Sequence, residues 1–143
     1  MRARLTVLLV ALCALAVPAT AVAAQQVFVP QYLNEGPPQV RPHAVILAED
    51  GTLSLYGIHY ESYGGAVANA TGRGYVRGCT PDCAQGKVYR PQATISFSQV
   101  MKCEGKLIYA RLRYSFVGAI PSGFKRTATF DLRPLDESGK PAC

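Results

Sequence analysis

Histidine is scarce in this chain: His43 and His59 are the only two among 143 residues. A catalytic zinc held by three histidines is therefore excluded. There is no Gly-x-Ser-x-Gly stretch, so the strained elbow that presents a hydrolase serine is missing. No glycine-rich loop opens a helical pattern, which excludes a strand–loop–helix phosphate cradle. Negative charge is also short, with 9 Asp and Glu against 15 Lys and Arg. Beyond residue 24 no apolar run approaches the roughly 18 residues of a membrane span, so no stable membrane anchor is expected.

The first 24 residues explain part of that pattern. Arg2 and Arg4 precede an uncharged apolar run from Leu5 to Val17. Pro18 breaks the run, and Ala21-Val22-Ala23-Ala24 closes it with small residues. These are the three parts of a secretory signal peptide with an Ala-x-Ala cleavage site. Val10-Ala11-Leu12-Cys13 is not a lipidation box, because Leu12 is not small. Cleavage near Ala24 lowers the formal charge from +6 to +4. That charge is spread along the chain rather than gathered on a stripe, so no nucleic-acid partner is expected.

The remainder, 25–143, has the size of one domain. Residues 25–43, with Pro30, Pro37, Pro38 and Pro42, read as an extended arm or edge segment. Residues 44–143 read as a single β domain. Glu49-Asp50-Gly51 is a turn signal. Along Leu53–Tyr63 the apolar parity changes at Gly57, which predicts a bulge. Ser62–Gly78 is rich in glycine and alanine and reads as weak strand, with Gly72-Arg73-Gly74 as a bend or bulge. Ala93, Ile95 and Phe97 alternate with polar neighbours, and so do Ile108, Ala110, Leu112, Tyr114 and Phe116. Gly105 lies between the two runs and predicts a hairpin. Ala128, Phe130 and Leu132 point inward from a last strand. The sum is an all-β fold: a small antiparallel sandwich or barrel of six or seven strands, stapled by disulfides. Ile95, Phe97, Ile108, Leu112, Tyr114, Phe116 and Phe130 are expected in one core.

Four cysteines follow the leader: Cys79, Cys83, Cys103 and Cys143. An even count in an exported chain predicts two disulfides, with three possible pairings. In Cys79-Thr80-Pro81-Asp82-Cys83 a type I turn through Pro81 brings the cysteines together. A Cys83–Cys103 bond would have to span the length of the hairpin. The spacing therefore favours Cys79–Cys83 and Cys103–Cys143.

The order Asp50-Gly51, Gly64-Gly65, Thr71-Gly72-x-Gly74, Cys79-x-Pro81-x-Cys83-Ala84-x-Gly86, Cys103-x-Gly105 and Tyr109 resembles an uncharacterised family. Its members are small exported β-rich proteins of high-GC Gram-positive bacteria. The resemblance runs from about Ala44 to Phe116, and the Cys-x-Pro-x-Cys-Ala-x-Gly motif is its most specific part. Tyr60 and Tyr63 stand where the family has tryptophans, and Ala48 stands where it has a cysteine. The resemblance implies export and a β domain. It also implies that Cys143 replaces the missing cysteine as a partner. It brings no active site.

Several groupings imitate chemistry. His59-Tyr60-Glu61 with Cys79 and Cys83 imitates a zinc deaminase, but that site needs Pro-Cys-x-x-Cys and three residues intervene here. No metal site and no cofactor are expected. Ser62 points away from His59 and Glu61 on a strand, which argues against a triad. Glu49, Asp50, Asp82, Asp136 and Glu137 fall in turns or the tail and read as solvated turn residues. Tyr56, Tyr60 and Tyr63 read as packing. Tyr109, Arg111 and Arg113 share the wet face of one strand by alternation, with Lys87 or Arg90 near them. They are the candidate binding patch, suited to a glycan, an anionic polymer or a protein edge. The expected function is a non-catalytic secreted recognition or interaction module. Its partner would be a cell-envelope polymer or another secreted protein. A small secreted hydrolase and a protease inhibitor are the alternatives.

Overall fold

The computed structural model describes residues 26–31 and 36–143. The leader and Cys13 lie outside the described residues. The strands are β1 (Val27–Phe28), β2 (Ala44–Ile46), β3 (Leu53–Tyr60), β4 (Ala68–Arg77), β5 (Val88–Tyr89), β6 (Gln92–Cys103), β7 (Lys106–Val117) and β8 (Thr127–Asp131). They form one sheet in the order β1-β7-β6-β4-β3-β2, with β5 beside β4 and β8 beside β7. Only the β1–β7 pair is parallel. The sheet curls into a half-barrel around its apolar face, so the all-β class is met by one curled sheet. The strand count reaches eight because β1 and β5 are two-residue pieces.

The segment before residue 44 supplies an edge of this sheet. Val27 and Val29 enter the core, and Val29 exchanges backbone bonds with Gln39. In β3 the register to β4 slips by one residue between Tyr56 and His59. Gly57 sits there with φ +59°, a left-handed conformation that glycine adopts freely. The bulge predicted from parity is thus present, and it turns Ile58 into the core.

β4 departs from its sequence reading. β4 runs unbroken from Ala68 to Arg77 and its register to β6 is continuous from Ala68 to Arg73, so the bulge opposite Gly72 belongs to β3 and Gly72-Arg73-Gly74 is itself strand. The glycines are there for packing. A Cβ on Gly74 would lie 2.5 Å from the Phe116 ring, and one on Gly72 would lie 3.0 Å from the Tyr56 carbonyl oxygen. Small inward residues on β4 make room for large ones on its neighbours.

β6 and β7 form a long hairpin closed by Glu104 and Gly105, both with positive φ, as a two-residue turn matched to strand twist demands. The alternation of both strands switches parity at one level. Phe97 and Leu112 face the core on one side of it, Val100 and Tyr109 on the other. Gln99, with φ +57°, marks the switch. Met101 and Ile108 pair on the opposite face, which Cys103 shares by register. The Cys103–Cys143 bond ties the tail to that face, and Ile108 is only 2% exposed although it lies outside the main core cluster.

Both expected disulfides are formed. The Thr80–Pro81 peptide is cis, unlike the type I turn expected through Pro81. Asp82 organises the loop: its carboxylate accepts the N–H groups of Ala84 and Gln85. Gly86 lies so close to the chain that a Cβ there would fall 1.5 Å from the Gly78 carbonyl oxygen. The Cys-x-Pro-x-Cys-Ala-x-Gly motif therefore encodes a stapled loop joining β4 to β5.

Candidate functional site

The predicted patch divides. Arg111 and Arg113 are exposed on the outer face of β7, as alternation requires. Tyr109 is not with them: it is fully buried in the core. The parity switch at Gln99 turns its ring inward, against Tyr63 and Phe97. Its hydroxyl donates to the Gly65 carbonyl and accepts the Gly64 N–H, so it fastens the β3–β4 connection. Strict alternation across β7 is the assumption that failed.

Tyr60 and Tyr63 also serve packing. The Tyr63 hydroxyl donates to the Val27 carbonyl and accepts the Arg41 N–H, while the Tyr60 hydroxyl donates to the Pro42 carbonyl. These two tyrosines thus pin the N-terminal segment to the sheet. Burial pushes the Tyr60, Tyr63, Tyr109 and Tyr114 phenols above their ordinary value. The suspected acids are turn residues. Asp50 accepts from Thr52, and Asp136 accepts from Ser138 and Lys140. Those hydrogen bonds hold both carboxyls below their ordinary range. The Ser62 hydroxyl accepts the Asn69 N–H, as a turn residue does. No group of three metal-ligating side chains occurs among the described residues.

The outer face of the sheet is a broad polar surface that register assembles. Tyr56 pairs with Arg73, Arg73 with Gln92, and Gln92 with Val117. The next row runs His59, Thr71, Thr94, Ser115, Thr127. A third runs Asn69, Ser96, Arg113, Thr129. Two shallow depressions follow these rows. One of about 660 Å³ is lined by Tyr56, His59, Thr71, Arg73, Gln92, Thr94 and Val117. The other, about 310 Å³, shares Thr71 and Thr94 and adds Glu61, Asn69, Ser96, Arg113 and Ser115. Together they make a trough across β3, β4, β6 and β7.

Charge sits at the ends of this trough. The side chains of Arg73 and Arg113 have no hydrogen-bond or ion-pair partner among the described residues. Arg77 and Arg90 lie over the Tyr75 ring beyond Arg73. Arg111 pairs with Asp131, whose carboxylate binds Arg133 and is held below its ordinary range first by that bond. Arg73, Tyr75 and Thr71 read from sequence only as weak strand or bend, and not as a surface row, because most of their inward neighbours are alanine and glycine. The signal was present as Asn69, Thr71, Arg73, Tyr75 and Arg77 at period two. The chain matches no protein-family model, no curated protein and no solved structure.

Proposed function

We propose that this chain is a secreted recognition module that binds a cell-envelope partner through the outer face of its sheet. One observation carries the reading: Arg73 and Arg113 stand without partners at either end of a trough walled by hydroxyl and amide side chains. Unpaired guanidinium groups beside neutral donors favour an anionic ligand more than they favour an ordinary solvated face. Export is supported by the N-terminal leader pattern and by two disulfides, which persist in oxidising compartments. The likeness of the cysteine motif to exported Gram-positive proteins points the same way. Among the described residues no helix is long and apolar enough to cross a membrane.

Binding to isolated cell envelope tests this. The double variant Arg73→Ala, Arg113→Ala is compared with wild type and with Lys125→Ala, Lys140→Ala, which removes two exposed charges elsewhere. Loss of two charged hydrogen-bonding groups predicts an affinity drop of about tenfold or more. Equal drops in both double variants would reduce the effect to general electrostatics. No drop would leave the trough as a solvated face.

A further inference from the structure

We infer that the ligand of this trough is an extended acidic polysaccharide, with carboxylates held near Arg73 and Arg113 and sugar rings lying along the hydroxyl row between them. The inference rests on the recognition reading above and names its ligand class. Charge comes first. The outer face carries Arg73, Arg77, Arg90, Arg111 and Arg113 against Glu61 and Asp131, and Asp131 is occupied by Arg133. The surplus is positive, so a neutral ligand leaves it unused.

Spacing comes second. Arg73 and Arg113 stand two strands apart and four residues apart along the sheet, or about 16 Å. A single sugar cannot touch both, whereas an oligomer can. Lining comes third. Between the arginines lie Thr71, Thr94, Ser96 and Gln92, which suit the hydroxyl groups of a sugar chain. Tyr56 is half-buried and Val117 is 64% exposed, and both offer apolar surface to the C–H face of a sugar ring. A glycerol-phosphate chain has no such face. A protein edge strand fits less well, because β4, β6 and β7 are paired along both sides within the trough.

Titration calorimetry with galacturonate oligomers of graded length tests the inference. Neutral glucan oligomers and a glycerol-phosphate polymer serve as comparisons. Binding should strengthen with galacturonate length until both arginines are reached, and then level off. Neutral glucans should bind at least about tenfold more weakly. Arg113→Gln should abolish the gain from length while leaving short oligomers bound at the Arg73 end. Both side chains are exposed and unpartnered, and an unchanged denaturation midpoint confirms that the variants are folded. Equal binding of neutral glucans, tighter binding of the phosphate polymer, or no dependence on length would overturn the proposal. The two readings separate cleanly. If envelope binding depends on Arg73 and Arg113 but no galacturonate binds, the ligand class is wrong and recognition stands. If envelope binding ignores both arginines, recognition itself fails.

Discussion

Tyr109 shows at the residue scale why an alternating pattern does not settle a side chain's direction. Its neighbours Ile108 and Ala110 are apolar and look like the buried set, yet Tyr109 is buried as well. The Cys103–Cys143 bond joins the tail to one face here, and the core covers the other. Tyr109→Phe keeps the ring and removes two hydrogen bonds, to Gly64 and Gly65. The expected loss is about 1–2 kcal/mol, read by chemical denaturation. A change near zero would mean that the hydroxyl faces water. Gly86 has a different constraint. Any Cβ there collides with the Gly78 backbone, which cannot move aside as a flexible side chain would. Gly86→Ala should displace the Cys79–Cys83 loop and lower the thermal midpoint, and Gln85→Ala, next to it and exposed, should not.

Among the elements, the two disulfides differ in what they constrain. Cys103–Cys143 closes 40 residues and Cys79–Cys83 closes 4. The chain-entropy relation gives about 4 kcal/mol for the first and about 2 kcal/mol for the second. Denaturation of the paired Cys→Ala variants should preserve that order, and a larger loss from the small loop would contradict it. The β6–β7 parity switch has its own test at Gln99, whose φ is positive. Gln99→Val, branched and unsuited to that conformation, should cost more than about 1 kcal/mol, and Gln99→Gly should be close to neutral. Much of this architecture is legible in the sequence. The Asp50-Gly51 turn, the Gly57 bulge, the hairpin, the inward set of β8 and the cysteine pairing all rest on local rules that packing did not override. β4 reads only as weak strand for a physical reason: Gly72 and Gly74 give way to Phe116 and Ile95 from other strands, so the cause of their composition is non-local. The trough is illegible for the same reason, since it crosses four strands. Arg111 and Arg113 are recovered from alternation alone, but Arg73 needed the register of β4.

Over the whole molecule, titration separates what holds the half-barrel together from what decorates it. Among the described residues, Tyr60, Tyr63, Tyr109 and Tyr114 have phenols raised by burial, most strongly Tyr60. The native state holds these protons, while the unfolded chain releases them near pH 10. Their stabilisation is therefore complete below about pH 10 and is lost as pH rises through the folded values. Asp131 acts in the opposite sense. Its carboxyl is depressed by Arg133, so its contribution is present above about pH 4 and is lost as pH falls. That pair is exposed and solvent screens it, so the acid loss is small. Thermal midpoints from about pH 3 to about pH 12 should fall more steeply on the alkaline side. Tyr60→Phe separates the cause from general weakening. It lowers the midpoint at neutral pH by removing the bond to the Pro42 carbonyl, and it should also flatten the alkaline slope. Arg73→Ala, Arg113→Ala should leave that slope unchanged, because neither guanidinium faces a phenol in the core. An alkaline slope that survives Tyr60→Phe intact would show that groups other than the Tyr60 phenol carry it.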